Sequence, residues 1–127
     1  MIGMPGIRAM TPAAAETMPL VLPLPADPRA RAFADRLLAD PADTTPLARL
    51  ARGAGASLRT LQRLFLAETG LSLEAWRGRV RMQQAVVSLS AGASVTEAGL
   101  EAGYRGASAF IAAFKRTFGT TPSRYRA

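Results

Sequence analysis

An internal repeat is the feature that most constrains how this chain can fold. Residues 47–70 read LARLARGAGASLRTLQRLFLAETG, and residues 95–119 read VTEAGLEAGYRGASAFIAAFKRTFG. The two segments share glycines and large apolar residues in the same order, in the pairs Gly55 and Gly103, Leu61 and Phe110, Phe65 and Phe114, and Gly70 and Gly119. Any two amphipathic helical pairs align to some extent. The shared order nevertheless favours one unit used twice, namely two short helices joined by a glycine-containing turn.

Helix start and stop signals predict an all-α fold of about seven helices. Most of the predicted starts pair a capping side chain or an early proline with an apolar stripe at helical spacing. They are Asp27 with Pro28, Thr45 with Pro46, Ser57, Leu73, Ser94 with Glu97, Ala107, and Thr121 with Pro122. These signals predict two helix-turn-helix lobes, at about residues 27–70 and 94–127, joined by a long connecting helix at about residues 73–90.

The connecting helix and the N-terminal region complete this division. The helix carries Leu73, Trp76, Val80 and Val87 on one predicted apolar stripe. Its roughly 18 residues span about 27 Å at a rise of about 1.5 Å per residue. Residues 1–26 mix proline, alanine, glycine and methionine without helical or strand periodicity. We interpret them as a flexible leader or linker that precedes a single domain at residues 27–127.

Composition removes most kinds of catalytic and metal site. The sequence has no cysteine and no histidine, so it lacks thiolate nucleophiles, disulfides, the commonest metal ligand and the commonest general base. We therefore predict that the protein is not an enzyme and uses no cofactor or metal. The N-terminal stretch lacks the uninterrupted apolar core of a signal peptide, and the apolar runs are too short to span a membrane. A cytoplasmic location is expected.

Positive charge is concentrated in the C-terminal part of the chain. The formal net charge is +7. Residues 1–56 carry six Arg or Lys against five Asp or Glu, and residues 57–127 carry ten against four. This excess suits contact with phosphates. Arginine outnumbers lysine 15 to 1, so a basic but merely solvated surface, encoded by a GC-rich gene, is the alternative interpretation.

Three polar side chains share one face of the helix predicted to start after Ser57. Arg59, Gln62 and Arg63 stand at i, i+3 and i+4, opposite the apolar stripe. Arginine can bond guanine, and glutamine can bond adenine, through two hydrogen bonds in the major groove. The residues therefore favour reading of DNA bases, with an ordinary solvated helix face as the alternative.

The chain resembles the DNA-binding domain of AraC/XylS-type regulators over roughly residues 29–127. The resemblance is most specific in the C-terminal stretch FIAAFKRTFGTTPSRYR, and it includes the segment from Ser57 to Gly70 and the connecting helix around Trp76. It implies a seven-helix, two-lobed domain whose third and sixth helices contact adjacent major grooves of double-stranded DNA. It also implies base contacts at Arg59, Gln62 and Arg63.

The resemblance further implies a role in transcriptional control, and association with the nucleoid is expected. Many relatives carry an N-terminal effector domain, so this chain is expected to be either a standalone regulator or the C-terminal piece of a longer one. The isolated domain is expected to bind as a monomer because it already holds two recognition helices.

The second predicted recognition helix has little hydrogen-bonding reach. Its base-reading candidates are Ala107, Ser108 and Ile111, which offer one hydroxyl and apolar contact with thymine methyl groups. The chain departs here from relatives that carry a polar residue in place of Ala112. It departs again at Gly99, where alanine is expected, and glycine inside a helix costs about 0.5–1 kcal/mol. The second lobe is therefore expected to be softer and less discriminating.

Contacts to the DNA backbone are predicted at helix starts and at basic side chains near the two recognition helices. The candidates are Ser57, Thr60, Arg105, Lys115, Arg116, Thr121 and Arg124. The weak second face leaves one rival open, a degenerate module that acts mainly through protein partners such as RNA polymerase.

Overall fold

The computed structural model describes residues 21–126, and that part of the chain contains seven helices and no strand. The helices are α1 (Pro28–Ala39), α2 (Leu47–Gly53), α3 (Leu58–Thr69), α4 (Leu73–Ser90), α5 (Val95–Glu101), α6 (Ala107–Phe118) and α7 (Pro122–Arg126). The predicted all-α, two-lobed architecture is confirmed. The predicted leader lies mostly at residues 1–20, outside the described residues.

The first lobe packs α1, α2 and α3 against the first half of α4. Its core centres on Phe65, whose ring lies 5.6 Å from Phe33 and 5.4 Å from Trp76 between centroids, edge-on to both. Leu37, Leu50 and Leu61 fill the space around these rings. Edge-to-face aromatic pairs contribute beyond the area they bury, so Phe65 ties α3 to both α1 and α4.

The second lobe packs α5, α6 and α7 against the second half of α4. Phe110 and Phe114 of α6 are fully buried. The centroid of the Phe114 ring also lies 4.5 Å from that of Phe118, and 5.5 Å from that of Tyr125 of α7 in an edge-on contact. The chain therefore has two separate cores that share one connecting helix.

The connecting helix presents opposite faces to the two lobes. Leu73, Trp76 and Val80 belong to the first core, whereas Met82, Ala85 and Leu89 belong to the second. At about 100° per residue, Leu89 points about half a turn away from Val80.

The single apolar stripe predicted for this helix was wrong at its end. Val87 continues the line of Leu73 and Val80, but its side chain is 58% exposed. The first lobe packs on the N-terminal half of α4, so no core remains for Val87 to join.

Hydrogen bonds confirm most of the predicted helix starts. Asp27 accepts from the Arg29 amide and Ser57 from the Thr60 amide, while Ser94 and Glu97 form a complete capping box. Thr45 is not a cap. The Thr45 amide donates to the Asp43 carboxylate at 2.8 Å. The N-cap of α2 is Pro46, which makes no side-chain capping bond.

Residues 21–26 differ from the flexible linker that was predicted there, because they lie against the first lobe. Trp76 Nε1 donates to the Pro23 carbonyl at 2.7 Å, and Glu68 Oε1 accepts from the amides of Ala26 and Asp27. Pro25 is fully buried. The Trp76 indole N–H and the Glu68 carboxylate gain hydrogen-bond partners in this way. These bonds order residues 21–26, whose sequence has no helical or strand periodicity.

Two arginines of α4 make contacts on the sides of different lobes. Arg79 donates to the Val21 carbonyl at 2.8 Å, in the segment that lies against the first lobe. Arg81 lies over the ring of Tyr104, 5.7 Å from its centroid. A side chain on Gly103 would lie within 3.3 Å of Arg81 and of the loop at residues 41–42. The α1–α2 loop of the first lobe therefore touches the α5–α6 turn of the second.

Candidate nucleic-acid interface

The first helix-turn-helix unit consists of α2, a tight turn and α3. Gly55 adopts φ 85° in that turn, a conformation open to glycine and rarely to other residues. At the start of α3, the Ser57 hydroxyl donates to Thr60 Oγ1 at 3.0 Å and accepts from the Thr60 amide at 3.1 Å. Ser57 and Thr60, both predicted to contact the DNA backbone, thus lie together at one helix N-terminus. The amides of a helix N-terminus attract anions.

The outward face of α3 carries all three predicted base readers. Arg59, Gln62 and Arg63 are exposed. Their side chains form no hydrogen bond or ion pair with any other residue between positions 21 and 126. Their donors and acceptors therefore face solvent, on a helix anchored from behind by Leu61 and Phe65.

One further residue, Leu66, lies on this face and was not among the predicted base readers. Leu66 is 60% exposed and lies seven residues after Arg59, on the same side of α3. Its helical spacing was the available signal. Leu66 adds an apolar surface beside Gln62.

The second unit places the outward side of α6 in the equivalent position. Ala107, Ser108, Ala112 and Lys115 are exposed, and Ile111 is 36% exposed. The helix starts at Gly106, which offers no side chain to cap it. The predicted face exists, and it is apolar apart from Ser108 and the basic residues at its C-terminal end.

Gly99 sets how closely α6 approaches α5. A Cβ at this position would lie 2.9 Å from Cδ2 and 3.0 Å from Cγ of Phe110. The Phe110 ring therefore packs on bare backbone. This contact gives Gly99 a packing role, whereas the sequence alone suggested only a softer helix.

The remaining residues that were predicted to contact the DNA backbone all lie in or beside α6 and α7. Arg105 is exposed in the turn before α6, and Lys115 and Arg116 are exposed in its last turn. Thr121 Oγ1 accepts from the Arg124 amide at 3.3 Å, so Thr121 caps α7. The side chains of Arg105, Lys115, Arg116 and Arg124 are thus exposed around α6.

The first helices of the two units differ in charge, and sequence analysis did not use this difference. In α2, Arg49 and Arg52 are exposed. The repeat aligns them with Glu97 and Leu100 of α5, which are also exposed. The first helices of the two units therefore differ in charge, with two arginines in α2 against a glutamate and a leucine in α5.

Other kinds of site find no support in the described residues. Between residues 21 and 126, no group of three or more histidine, cysteine, aspartate or glutamate residues is arranged to hold a metal ion. Across the same range, no helix combines the length and apolarity that crossing a bilayer requires.

Comparison with known sequences points to one family. The helix-turn-helix domain family matches residues 50–127. The transcriptional regulator RipA of Corynebacterium glutamicum is 41% identical over 103 residues, which cover 81% of this chain and 31% of RipA. The regulator NimR of Escherichia coli is 34% identical over 106 residues, which cover 84% of this chain and 39% of NimR. The chain thus spans about a third of the length of these relatives.

Solved structures share the fold. The DNA-binding domain of AdpA, determined in complex with a target DNA, matches with a TM-score of 0.71 and 30% identity, covering 80% of this chain and 91% of that one. An AraC-type DNA-binding protein from Chromobacterium violaceum matches with a TM-score of 0.72 and 23% identity, covering 78% and 89%.

Proposed function

The chain belongs to the AraC/XylS-type helix-turn-helix family of transcriptional regulators, and from that premise we propose that it binds double-stranded DNA as a monomer, with α3 and α6 in adjacent major grooves. The outward face of α3 is the observation that carries this proposal. It presents two guanidinium groups and one amide, exposed and free of recorded hydrogen bonds within residues 21–126. These are the side chains that read guanine and adenine edges.

The connecting helix supports a bipartite site. Successive major grooves on one face of DNA lie about 34 Å apart. The 18 residues of α4 give about 27 Å of rigid spacer. The contact between Gly103 and the loop at residues 41–42 limits how far the lobes can rotate.

The two helices divide the work unequally in this proposal. Arg59, Gln62 and Arg63 read bases directly, while Ala107, Ser108 and Ile111 read thymine methyl groups and groove shape. Backbone contacts come from Ser57, Thr60, Arg105, Lys115, Arg116, Thr121 and Arg124, and the structure adds Arg49 and Arg52 as candidates.

A protein that acts on chromosomal DNA works beside the nucleoid, so a cytoplasmic location is part of the proposal. The relatives are about three times as long as the matched segment, which leaves room for an effector domain in the whole regulator. The proposal assigns no catalytic residue to the domain.

Selection from a randomised duplex pool at about 0.15 M salt, the physiological ionic strength, tests this function. Two enriched blocks of base sequence, about one turn of the DNA helix apart, are expected. A single block would limit base reading to α3. A pool that stays random would contradict sequence-specific binding.

One observation favours a second candidate, a module that acts mainly through a protein such as RNA polymerase. Leu100 is 58% exposed on α5, and Ala107 and Ile111 continue an apolar surface onto α6. Purified RNA polymerase mixed with the chain separates the candidates. Polymerase binding that is lost with Leu100→Ser and weakened by Ile111→Ala, by a chain that enriches no sequence from the random DNA pool, would favour this alternative.

A further inference from the structure

A cleft of about 400 Å³ lies between the lobes, along the N-terminal half of α4. Its lining includes small or apolar residues, namely Ala75, Gly78 and Met82 of α4 and Ala113 of α6. The polar groups around it are Arg79, Arg116, Tyr104 and Thr117. The cleft is therefore a concave surface whose polar groups are two guanidinium groups and two hydroxyls.

The cleft is positively charged without compensation. No aspartate or glutamate lines it. Within residues 21–126, ion pairs are recorded for Arg29, Arg31 and Arg36 alone. Arg79 uses Nη1 to hold the Val21 carbonyl, so its Nη2 stays available.

Arg116 lies close enough to act on the Tyr104 hydroxyl. Burial raises the pKa of Tyr104, and the positive charges of Arg81 and Arg116 oppose that rise. Two uncompensated cations around a concave surface attract anions strongly, because low-dielectric walls focus their field.

The position of the cleft relates it to the recognition helices. Arg116 lies one helical turn after Ala112, at the edge of the outward face of α6. Gly78 and Arg79 lie on the half of α4 to which the first lobe is attached. Through Arg116, the cleft therefore adjoins the edge of the outward face of α6.

We propose that the inter-lobe cleft is an oxyanion site that holds a backbone phosphate of the DNA between the two half-sites, an inference that rests on the proposed function. Arginine suits this role because its planar group binds phosphate through paired N–H donors. A free phosphate or carboxylate would satisfy the same donors. The DNA backbone is favoured because the cleft borders the recognition face.

Gly78 offers a direct way to block the cleft. A Cβ added there meets no atom within 4 Å, so Gly78→Glu places a carboxylate in the cleft without a clash. Val87→Glu is the matched control, because it adds the same charge to an exposed position of the same helix outside the cleft. Both variants are compared in the full chain, after circular dichroism has established equal helix content.

The first readout is affinity for a duplex carrying the selected sequence, measured over a series of salt concentrations. Relative to Val87→Glu, Gly78→Glu should raise Kd about tenfold and flatten the slope of log K against log salt by about one, as expected when one phosphate contact is lost. The central phosphates of the duplex can also be replaced, one at a time, with neutral methylphosphonates. Replacement of the phosphate that the cleft binds should abolish the difference in Kd between the two variants.

The second readout is titration of the DNA-free chain with inorganic phosphate, followed through the Nε–Hε signals of Arg79 and Arg116. Phosphate-dependent shifts in Val87→Glu that vanish in Gly78→Glu, with equal DNA affinity of the two, would support the same site with a free oxyanion as its ligand. Variants that behave alike in both readouts would overturn the oxyanion site. A chain that binds no DNA but shows the phosphate shifts would contradict the proposed function and leave the oxyanion site standing.

Discussion

The two lobes share one topology but differ in what they present to a partner. The first lobe combines a polar recognition face on α3 with arginines on α2. The second combines a largely apolar face on α6 with Glu97 and Leu100 on α5. Their cores are comparably aromatic, so the difference lies at the surface. A repeated unit has kept its packing at Phe65 and Phe114 while its outward positions have diverged.

This comparison separates the residues that build a helix-turn-helix unit from those that give it a specificity. Phe65 and Phe114 occupy equivalent positions in the repeat and anchor each recognition helix from behind. Arg63 and Ala112 also occupy equivalent outward positions. A hydrogen-bonding lobe can therefore discriminate bases strongly, whereas an apolar one reads mainly methyl groups and shape.

The largest expected effect tests whether the cores are independent. Phe65→Ala should lower the free energy of unfolding by about 3–5 kcal/mol, because it removes the ring between Phe33 and Trp76. Phe114→Ala is the equivalent change in the second lobe. Hydrogen exchange should show protection falling first in α1 and α3 for one variant, and in α6 and α7 for the other. Uniform loss over both lobes would mean that α4 joins them into one cooperative unit.

A smaller effect is expected at Gly99, where the lobes differ in packing. Gly99→Ala should destabilise the second lobe by about 1–3 kcal/mol, because the new methyl group meets Phe110. Gly78→Ala is the matched control. Its added Cβ meets no atom within 4 Å, so it should stabilise α4 by roughly 0.5–1 kcal/mol. Thermal unfolding of both variants checks the opposite signs, and equal stabilisation by both would remove the packing role of Gly99.

Removing a base reader should cost more base discrimination in the first lobe than in the second. Arg63→Ala should reduce discrimination at one or two base pairs by about 1–3 kcal/mol, since a paired contact to a base edge is lost. Ile111→Ala in the second lobe should cost less and act only where thymine lies beneath it. Competition binding with single-base variants of the selected duplex measures both. A larger loss from Ile111→Ala would reverse the proposed division of work.

Backbone contacts should affect all sequences alike. Lys115→Ala should weaken binding to selected and random duplexes by the same factor. It should also flatten the slope of log K against log salt by about one. Titrations of both duplexes at several salt concentrations provide the test. A loss confined to the selected duplex would make Lys115 a base reader.

Local chemistry explains which parts of this structure could be predicted from sequence. Ser57, the Ser94 and Glu97 pair, and the turn glycine Gly55 act within a few residues of themselves, so their roles could be seen without a fold. The outward face of α3 was also predictable, because helical spacing alone separates Arg59 and Arg63 from Phe65. These features define the architecture and the principal candidate site.

The features that sequence did not reveal depend on distant partners. The exposure of Val87 depends on where the first lobe ends along α4. The ordering of residues 21–26 depends on Trp76, which lies 53 residues from its partner Pro23. The fit of Gly99 to Phe110 requires the angle between α5 and α6. None of these relations leaves a periodic pattern in the chain.

The smallest expected effect is the response of the lobes to acid. Hydrogen bonds from Arg29 lower the pKa of Asp27, and hydrogen bonds from Thr45 lower the pKa of Asp43, both in the first lobe. In the second lobe, a hydrogen bond from the Ser94 amide lowers the pKa of Glu97.

A carboxyl group whose pKa is lowered by folding stabilises the native state above its unfolded pKa, and that contribution is lost as the pH falls through the folded value. As the pH drops below about 4, the first lobe should therefore lose hydrogen-exchange protection faster than the second, and Asp43→Asn should reduce that difference. Earlier loss of protection in α5 than in α1 would show that the single capping box matters more than the two aspartates together.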